Sequence, residues 1–383
     1  MNEFNFGIPQ DIKFGVGIIN NLSDIVVEQK ITKPFIVSDK GLEKAGLVKR
    51  ITDILDCKNI KYELFLDVIP NPTNVVVDEA TKKFKESKAD GIIALGGGSS
   101  MDTSKAISII ATYGGEIMDY EGPNHVPGET TPIIAIPTTA GTGSEVTRAA
   151  VFTNVSNNWK FVVQSNRLLP RVSILDPEMI TGLPFGVAAS TGIDALIHAV
   201  EAYLSKKSNP YSDAMAEKAM ELIGGNIRRF VADRTKIEAA GNMLLGSMFA
   251  GLAFSNTSLG IIHAMSHPLS GHLGVAHGVA NAILFPAALE FNAIGADTKY
   301  ERIYNYIKNN KSNITKSFKN DMLYEEVKKM LVDFNIPLNL TEVGVTEEVL
   351  DALTNDAMKS GNIKFNPRFP KFEDVKKLYI SLM

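Results

Sequence analysis

The chain has 383 residues, enough for two domains or one large one, and its 45% hydrophobic and 21% charged content is that expected of an ordinary soluble globular protein. A formal net charge of −4 argues against a nucleic-acid or anionic-membrane partner, and a lone cysteine, Cys57, excludes an internal disulfide and suits a reducing cytoplasm. The first residues lack a basic-then-apolar leader pattern, and no run of about 18 uncharged apolar residues predicts a membrane-spanning helix.

From the N-terminus, β-rich runs at 34–39, 61–66, 91–95, 132–136 and 172–175 read as buried strands. Helical patterns at 41–56, 73–88 and 102–112 fall between them, and this alternation predicts a parallel, doubly wound sheet. Residues 153–170 read as a polar hairpin or loop insert. Beyond Pro177 strand-like runs nearly vanish. Helices are predicted at 184–205, 209–231, 235–255, 258–266, 278–292, 297–309, 320–333, 346–355 and 371–381, which puts a domain boundary near residue 180.

The third strand runs into Gly96-Gly97-Gly98-Ser99-Ser100-Met101-Asp102. Glycines let a pyrophosphate approach the backbone, and the start of the following helix offers outward amides and partial positive charge. The spacing matches neither G-x-G-x-x-G nor a Walker A loop, which argues against an NTPase. After the fourth strand, Pro137-Thr138-Thr139-Ala140-Gly141-Thr142-Gly143-Ser144-Glu145 supplies a second loop rich in hydroxyls and amides. Asp39 closes another strand, where a carboxylate can accept from a ribose 2′-hydroxyl and repel a 2′-phosphate, favouring NAD over NADP. An ordinary strand-end cap is the alternative reading of Asp39.

Four of the six histidines, His263, His267, His272 and His277, fall in one short stretch. Upstream, Asp194 and His198 stand at i and i+4 in an apolar helical pattern and so share a face. One carboxylate plus several imidazoles is a ligand set for Fe(II) or Zn(II), and three or four ligands suit a catalytic cation with an open position. His272, set between a glycine and a leucine, reads as a bystander. Pro268 predicts that the helix carrying His263 and His267 ends or kinks there. H-E-x-x-H, C-x-x-C and G-x-S-x-G are absent.

Taken together, the glycine turn at 96–102, the Pro137–Glu145 loop, Gly192-Ile193-Asp194-Ala195-Leu196-Ile197-His198, His263-Ala264-Met265-Ser266-His267-Pro268 and His277-Gly278-Val279-Ala280-Asn281 resemble the iron-containing (group III) alcohol dehydrogenases over essentially the whole chain. The resemblance implies an α/β N-terminal dinucleotide-binding domain with a parallel, Rossmann-like sheet (1–180), followed by an all-α C-terminal metal-binding domain (181–383). It implies a metal, Fe(II) or in some members Zn(II), held by Asp194, His198, His263 and His277. His267 would take part in proton transfer or ring positioning. The NAD site would include Asp39, Asn71, Gly97, Gly98, Ser99, Asp102, Thr138, Thr139, Thr142, Val151 and Lys160, with Phe254 beside the nicotinamide. The implied activity is hydride transfer between short primary alcohols or diols and NAD, in a cytoplasmic homodimer or larger homo-oligomer with no membrane or nucleic-acid partner. The alternatives are a glycerol dehydrogenase or hydroxyacid–oxoacid transhydrogenase. A dehydroquinate-synthase-like cyclase is disfavoured, because residues 255–281 contain no Lys or Arg to hold a substrate phosphate.

Overall fold

The computed structural model describes residues 4, 6–7, 10–157, 159–296, 298–309 and 318–383. The chain divides into two compact units, Gly7–Leu183 and Pro184–Met383, with Phe4 and Phe6 joined to the second.

In the first unit the elements run β1 (Asp11–Phe14), α1 (Leu22–Glu28), β2 (Pro34–Val37), α2 (Lys40–Lys44), α3 (Leu47–Asp56), β3 (Glu63–Phe65), α4 (Asn74–Ser87), β4 (Gly91–Gly96), α5 (Gly98–Tyr113), β5 (Gly122–Pro123), β6 (Ile133–Pro137), β7 (Ala149–Asn154), β8 (Trp159–Gln164) and β9 (Val172–Leu175). Six strands form one sheet in the order β1-β9-β6-β4-β2-β3, and every pairing is parallel. The central strands are apolar on both faces, as a sheet covered on both sides requires. Alternation survives inside them: Ile36, Ile93, Leu95, Ile134 and Ile136 pack with α1 and α3, while Phe35, Val37, Ile92, Ala94 and Ile133 pack with α4 and α5.

Several expectations shift. The helix expected at 41–56 breaks at Gly46, which adopts φ +79 between α2 and α3. The edge strand β1 is an addition that a short, charge-tipped tetrapeptide did not announce. It is fixed by parallel pairing of Asp11–Phe14 with Val172–Leu175. The expected insert is an antiparallel hairpin, β7 against β8, that begins at Ala149 and has one apolar face, with Phe152 and Phe161 paired and buried. Its inward side packs with Ala106, Ile109 and Ile110 of α5.

The second unit carries α6 (Phe185–Leu204), α7 (Pro210–Ala232), α8 (Ile237–Ser255), α9 (Ile261–Leu273), α10 (His277–Ala296), α11 (Lys299–Ile307), α12 (Asn320–Asp333), α13 (Leu350–Lys359) and α14 (Phe372–Ser381). Among the described residues no strand follows Leu175. Two segments, Ile237–Ser255 and His277–Gly295, are long and apolar enough by length and composition to cross a membrane, though each carries a glutamate, Glu238 or Glu290, so neither is an uncharged run. They are 67% and 61% buried within the protein, the condition of core helices.

The helix α9 does not end at His267. It runs through Pro268 to Leu273 and stops at Gly274 in the left-handed region, φ +68. Proline deletes a single amide donor and costs about 3 kcal/mol in a helix interior. Burial of Ile261, Ile262, Ala264, Met265 and Leu269 opposes that cost, and Tyr379 donates its hydroxyl to the Met265 carbonyl at 2.6 Å.

Candidate functional site

In the helical unit, Asp194 and His198 project from one face of α6, His263 and His267 from α9, and His277 from the first position of α10. Asp194, His263 and His277 each offer one ligand atom, all within 4.8 Å of one another. Asp194 Oδ1 lies 3.7 Å from His263 Nε2 and 4.0 Å from His277 Nε2. Three acceptors brought this close repel one another unless a cation or a donor stands among them. The donor there is the Asn281 amide, whose Nδ2 lies 2.6 Å from Asp194 Oδ1 and 3.1 Å from both Nε2 atoms. This donor set fits a divalent cation. His277 is the most accessible of the three, with 28% of its side chain exposed against 2% and 3% for His263 and Asp194.

His198 stands beside the trio rather than within it. Its Nδ1 is 3.9 Å from Asp194 Oδ2, and its ring stacks between Phe254 and His263, 4.6 Å from each centroid. His267 lies further out, its centroid 5.5 Å from that of His277 and 6.2 Å from that of His263. His272 pairs instead with Asp356 at 2.8 Å, apart from the cluster.

Sequence reasoning missed two residues of this centre. Glu201 is buried, its Oε2 lies 2.6 Å from His263 Nδ1, and its Oε1 accepts from the Ile262 amide at 2.8 Å. Burial pushes its carboxyl up to about 7 against those amide donors, and burial depresses the His263 imidazole. A neutral His263 that donates Nδ1–H to Glu201 keeps the Nε2 lone pair aimed at Asp194 and His277. The signal was present: Asp194, His198 and Glu201 stand at i, i+4 and i+7. Asn281, four residues after His277, is the second.

In the α/β unit, β4 ends at Gly96 and α5 begins at Gly98, with Gly97 as its N-cap. A Cβ on Gly97 would lie 3.2 Å from Thr139 Oγ1, and one on Gly98 would lie 3.0 Å from Thr142 Cγ2. A Cβ on Gly96, at φ +154, would collide with Ser100. The two small-residue loops therefore lie against each other, and side chains would fill the space where backbone amides are offered. Thr138 is buried, and its amide donates to the Gly96 carbonyl at 3.0 Å. Ser99, half-buried, lies in the first turn of α5.

Asp102 uses both carboxylate oxygens inside the protein, accepting from Ser144 Oγ at 2.9 Å and from the Val151 amide at 3.0 Å. Burial raises its carboxyl, opposed first by Lys105. Lys105, also missed from sequence, is buried with its ammonium on the Ser144, Thr147 and Ala149 carbonyls at 2.9, 3.1 and 2.8 Å, and burial depresses it to about 8. Lys160 donates to Asn71 Oδ1 at 2.8 Å, and burial lowers it to about 8, opposed by Asp102. Asp39 caps α2 through Oδ1, which accepts from the Gly41 and Leu42 amides at 2.7 and 3.0 Å. The neighbouring Lys40 is paired with Asp67 at 2.6 Å.

Comparison with known proteins gives matches along nearly the whole chain. Residues 9–177 match the model described as iron-containing alcohol dehydrogenase, and residues 188–383 match that of the Fe-containing alcohol dehydrogenase family, C-terminal. The chain is 38% identical to a lactaldehyde reductase of Escherichia coli (strain K12), with 96% of each chain covered. It is 33% identical to an NAD-dependent methanol dehydrogenase of Bacillus methanolicus, with 98% of each covered. A solved 1,3-propanediol oxidoreductase superposes with a TM-score of 0.95 at 36% identity over 100% of both chains.

Proposed function

The chain belongs to the iron-containing alcohol dehydrogenase family, and from that premise we propose that it interconverts short primary alcohols or diols and their aldehydes by metal-dependent, NAD-linked hydride transfer. The observation that carries this reading is the convergence of Asp194, His263 and His277. Asp194, His263 and His277, with His198 beside them as the fourth ligand that the family implies, would hold a divalent cation, Fe(II) with Zn(II) as the alternative, since imidazole and carboxylate accept both. When bound, the cation supplies Lewis acidity toward the alcohol oxygen and NAD supplies the hydride acceptor.

The protein's own groups do the rest. Glu201 fixes the His263 ring so that Nε2 faces the centre. His267, half-buried and set off from the trio, is the group assigned to proton transfer, and Phe254 provides an apolar wall through its stack on His198. The glycine turn and the Thr138–Thr142 loop offer amides and hydroxyls to a pyrophosphate. Asp102 and Lys105 brace the Ser144–Ala149 loop and β7, and Lys160 and Asn71 add polar groups beside them. Asp39 is assigned the adenosine ribose, favouring NAD, an assignment supported by the pairing of the neighbouring Lys40 with Asp67, which draws that ammonium toward a carboxylate and away from a 2′-phosphate. A cytoplasmic location, supported by the single cysteine, and a homodimeric or larger assembly, implied by the family, belong to the same proposal.

An anaerobic 340 nm assay tests it. Metal-stripped protein reloaded with Fe(II) or Zn(II) is given NAD or NADP with ethanol, butanol, 1,2-propanediol, 1,3-propanediol or glycerol. Metal-dependent NADH formation is expected, fastest with a short primary alcohol or diol. Silence in every combination and in both directions would overturn the reading.

A further inference from the structure

The helix α9 begins without a cap of its own. Its N-cap, Gly260, has no side chain, and a Cβ there would lie 2.8 Å from Asn366 Oδ1 and 2.9 Å from Glu201 Oε1. Those two acceptors, from segments distant in sequence, take the place of a capping side chain. The Ile261 amide donates to Asn366 Oδ1 at 3.1 Å, and the Ile262 amide donates to Glu201 Oε1 at 2.8 Å. His263 is the next residue.

Asn366 is 1% exposed and uses both ends of its amide. Besides Ile261, its Oδ1 accepts from Asn292 Nδ2 at 3.2 Å, and its Nδ2 donates to Asn292 Oδ1 and to the Arg368 carbonyl, both at 2.6 Å. The backbone fixes which end is which, because the Ile261 N–H only donates and the Arg368 carbonyl only accepts. Asn292 belongs to α10, the helix that opens with His277. The same segment grips α10 a second time, where Arg368 Nη1 donates to the Phe291 carbonyl at 3.0 Å and the guanidinium stacks 4.0 Å from the Phe291 ring centroid.

A helix start held at one point can pivot about it, and a slip of one residue swings a side chain through about 100°. Glu201 supplies one point and also holds His263 Nδ1. Asn366 supplies the second and ties it to α10. We propose that Asn366 is a positioning residue of the metal centre: it locks the start of α9 to α10 and thereby sets where His263 Nε2 stands relative to His277 and Asp194. This rests on the metal reading of those three residues. Asn366 acts through the helix backbone, not as a ligand.

The test uses full-length protein stripped of metal and titrated anaerobically with Co(II), read by visible absorption, by competition with a chelator and by thermal melting. Asn366→Ala removes the acceptor and the donor together. It is expected to hold Co(II) about tenfold more weakly, with shifted absorption bands. Asn292→Ala leaves the Ile261 bond but cuts the tie to α10, and is expected to shift the bands the same way with a smaller loss of affinity. Asn226, another buried asparagine of the helical unit, donates to the Leu222 carbonyl at 2.8 Å within α7. Asn226→Ala is expected to melt lower while keeping wild-type bands and affinity, which separates positioning from loss of stability. Wild-type bands and affinity in Asn366→Ala, or an equal shift in Asn226→Ala, would overturn the proposal while leaving the metal reading standing. Absence of Co(II) bands in the wild type would overturn both. Should Asn366→Ala fail to fold, Asn292→Ala decides alone, and wild-type values there would overturn the proposal.

Discussion

Glu201 and His263 are joined by a 2.6 Å contact between Oε2 and Nδ1, both side chains buried, and Glu201 is held in turn by the Ile262 amide on its other oxygen. A carboxylate that accepts from a ligating imidazole sets its tautomer and orientation. Glu201→Gln leaves one of those two N–H donors facing an amide –NH₂. We expect metal retention to fall about 10–100-fold in chelator competition, with NADH binding unchanged. Wild-type retention in that variant would remove Glu201 from the centre.

His263→Ala deletes one of the proposed ligands outright. Loss of bound metal and of activity is expected, with the NADH dissociation constant, measured by fluorescence titration, within about twofold of wild type. Persisting metal-dependent turnover would show that the cation is held elsewhere.

Gly98→Ala places a Cβ 3.0 Å from Thr142 Cγ2 in the wall shared by the two small-residue loops. The dissociation constant for NADH should rise by about tenfold, about 1.4 kcal/mol, without loss of metal. Equal NADH affinity would mean that the pyrophosphate does not lie against this turn.

Asp39→Gly removes the carboxylate assigned to the ribose while leaving a residue tolerated at a helix N-cap, so stability should change by only about a few tenths of a kcal/mol. The ratio of kcat/KM for NADP over NAD is expected to rise. An unchanged ratio would confine Asp39 to its observed work of capping α2 through the Gly41 and Leu42 amides.

Glu145 is buried in the α/β unit, and burial raises its carboxyl to about 7, opposed by its own amide and by Lys105. A carboxyl that titrates higher in the folded than in the unfolded state keeps its proton when the unfolded chain has lost it. Unfolding then releases a proton, and stability falls as pH rises from about 4.5 to about 7. Glu145→Gln should flatten that fall, raising the melting temperature at pH 8 and leaving it unchanged at pH 4. A parallel pH profile in the variant would show that Glu145 does not set it.

Much of this was legible because burial forces pattern. Asp194 and His198 betrayed a shared face through i, i+4 spacing among apolar neighbours, and the fully buried β2, β4, β6 and β9 showed as short, mostly apolar runs rich in Ile and Val. The strand β1 was not legible, since Asp11–Phe14 owes its conformation to pairing with β9 rather than to its own composition. Nor was the continuation of α9 past Pro268, which burial of residues on both sides of the proline sustains. Glu201, Lys105 and Asn281 are ordinary helix residues until distant segments bring His263, the Ser144–Ala149 carbonyls and Asp194 against them. Spacing identified a face of a helix; it did not tell which neighbour that face meets.

The residues converging on the candidate cation lie between positions 194 and 281, and those assigned to the dinucleotide lie, Phe254 apart, between 39 and 160, each set inside its own compact unit. Phe254 apart, the gene therefore writes the residues assigned to the dinucleotide and those assigned to the cation in separate passages. On that assignment, a codon change that re-tunes dinucleotide choice would fall in the first passage, and one that alters cation preference in the second. A recombination junction near Pro184 would exchange the two sets largely apart, with Phe254 travelling with the cation set and the N-terminal Phe4 and Phe6 left behind with the dinucleotide set.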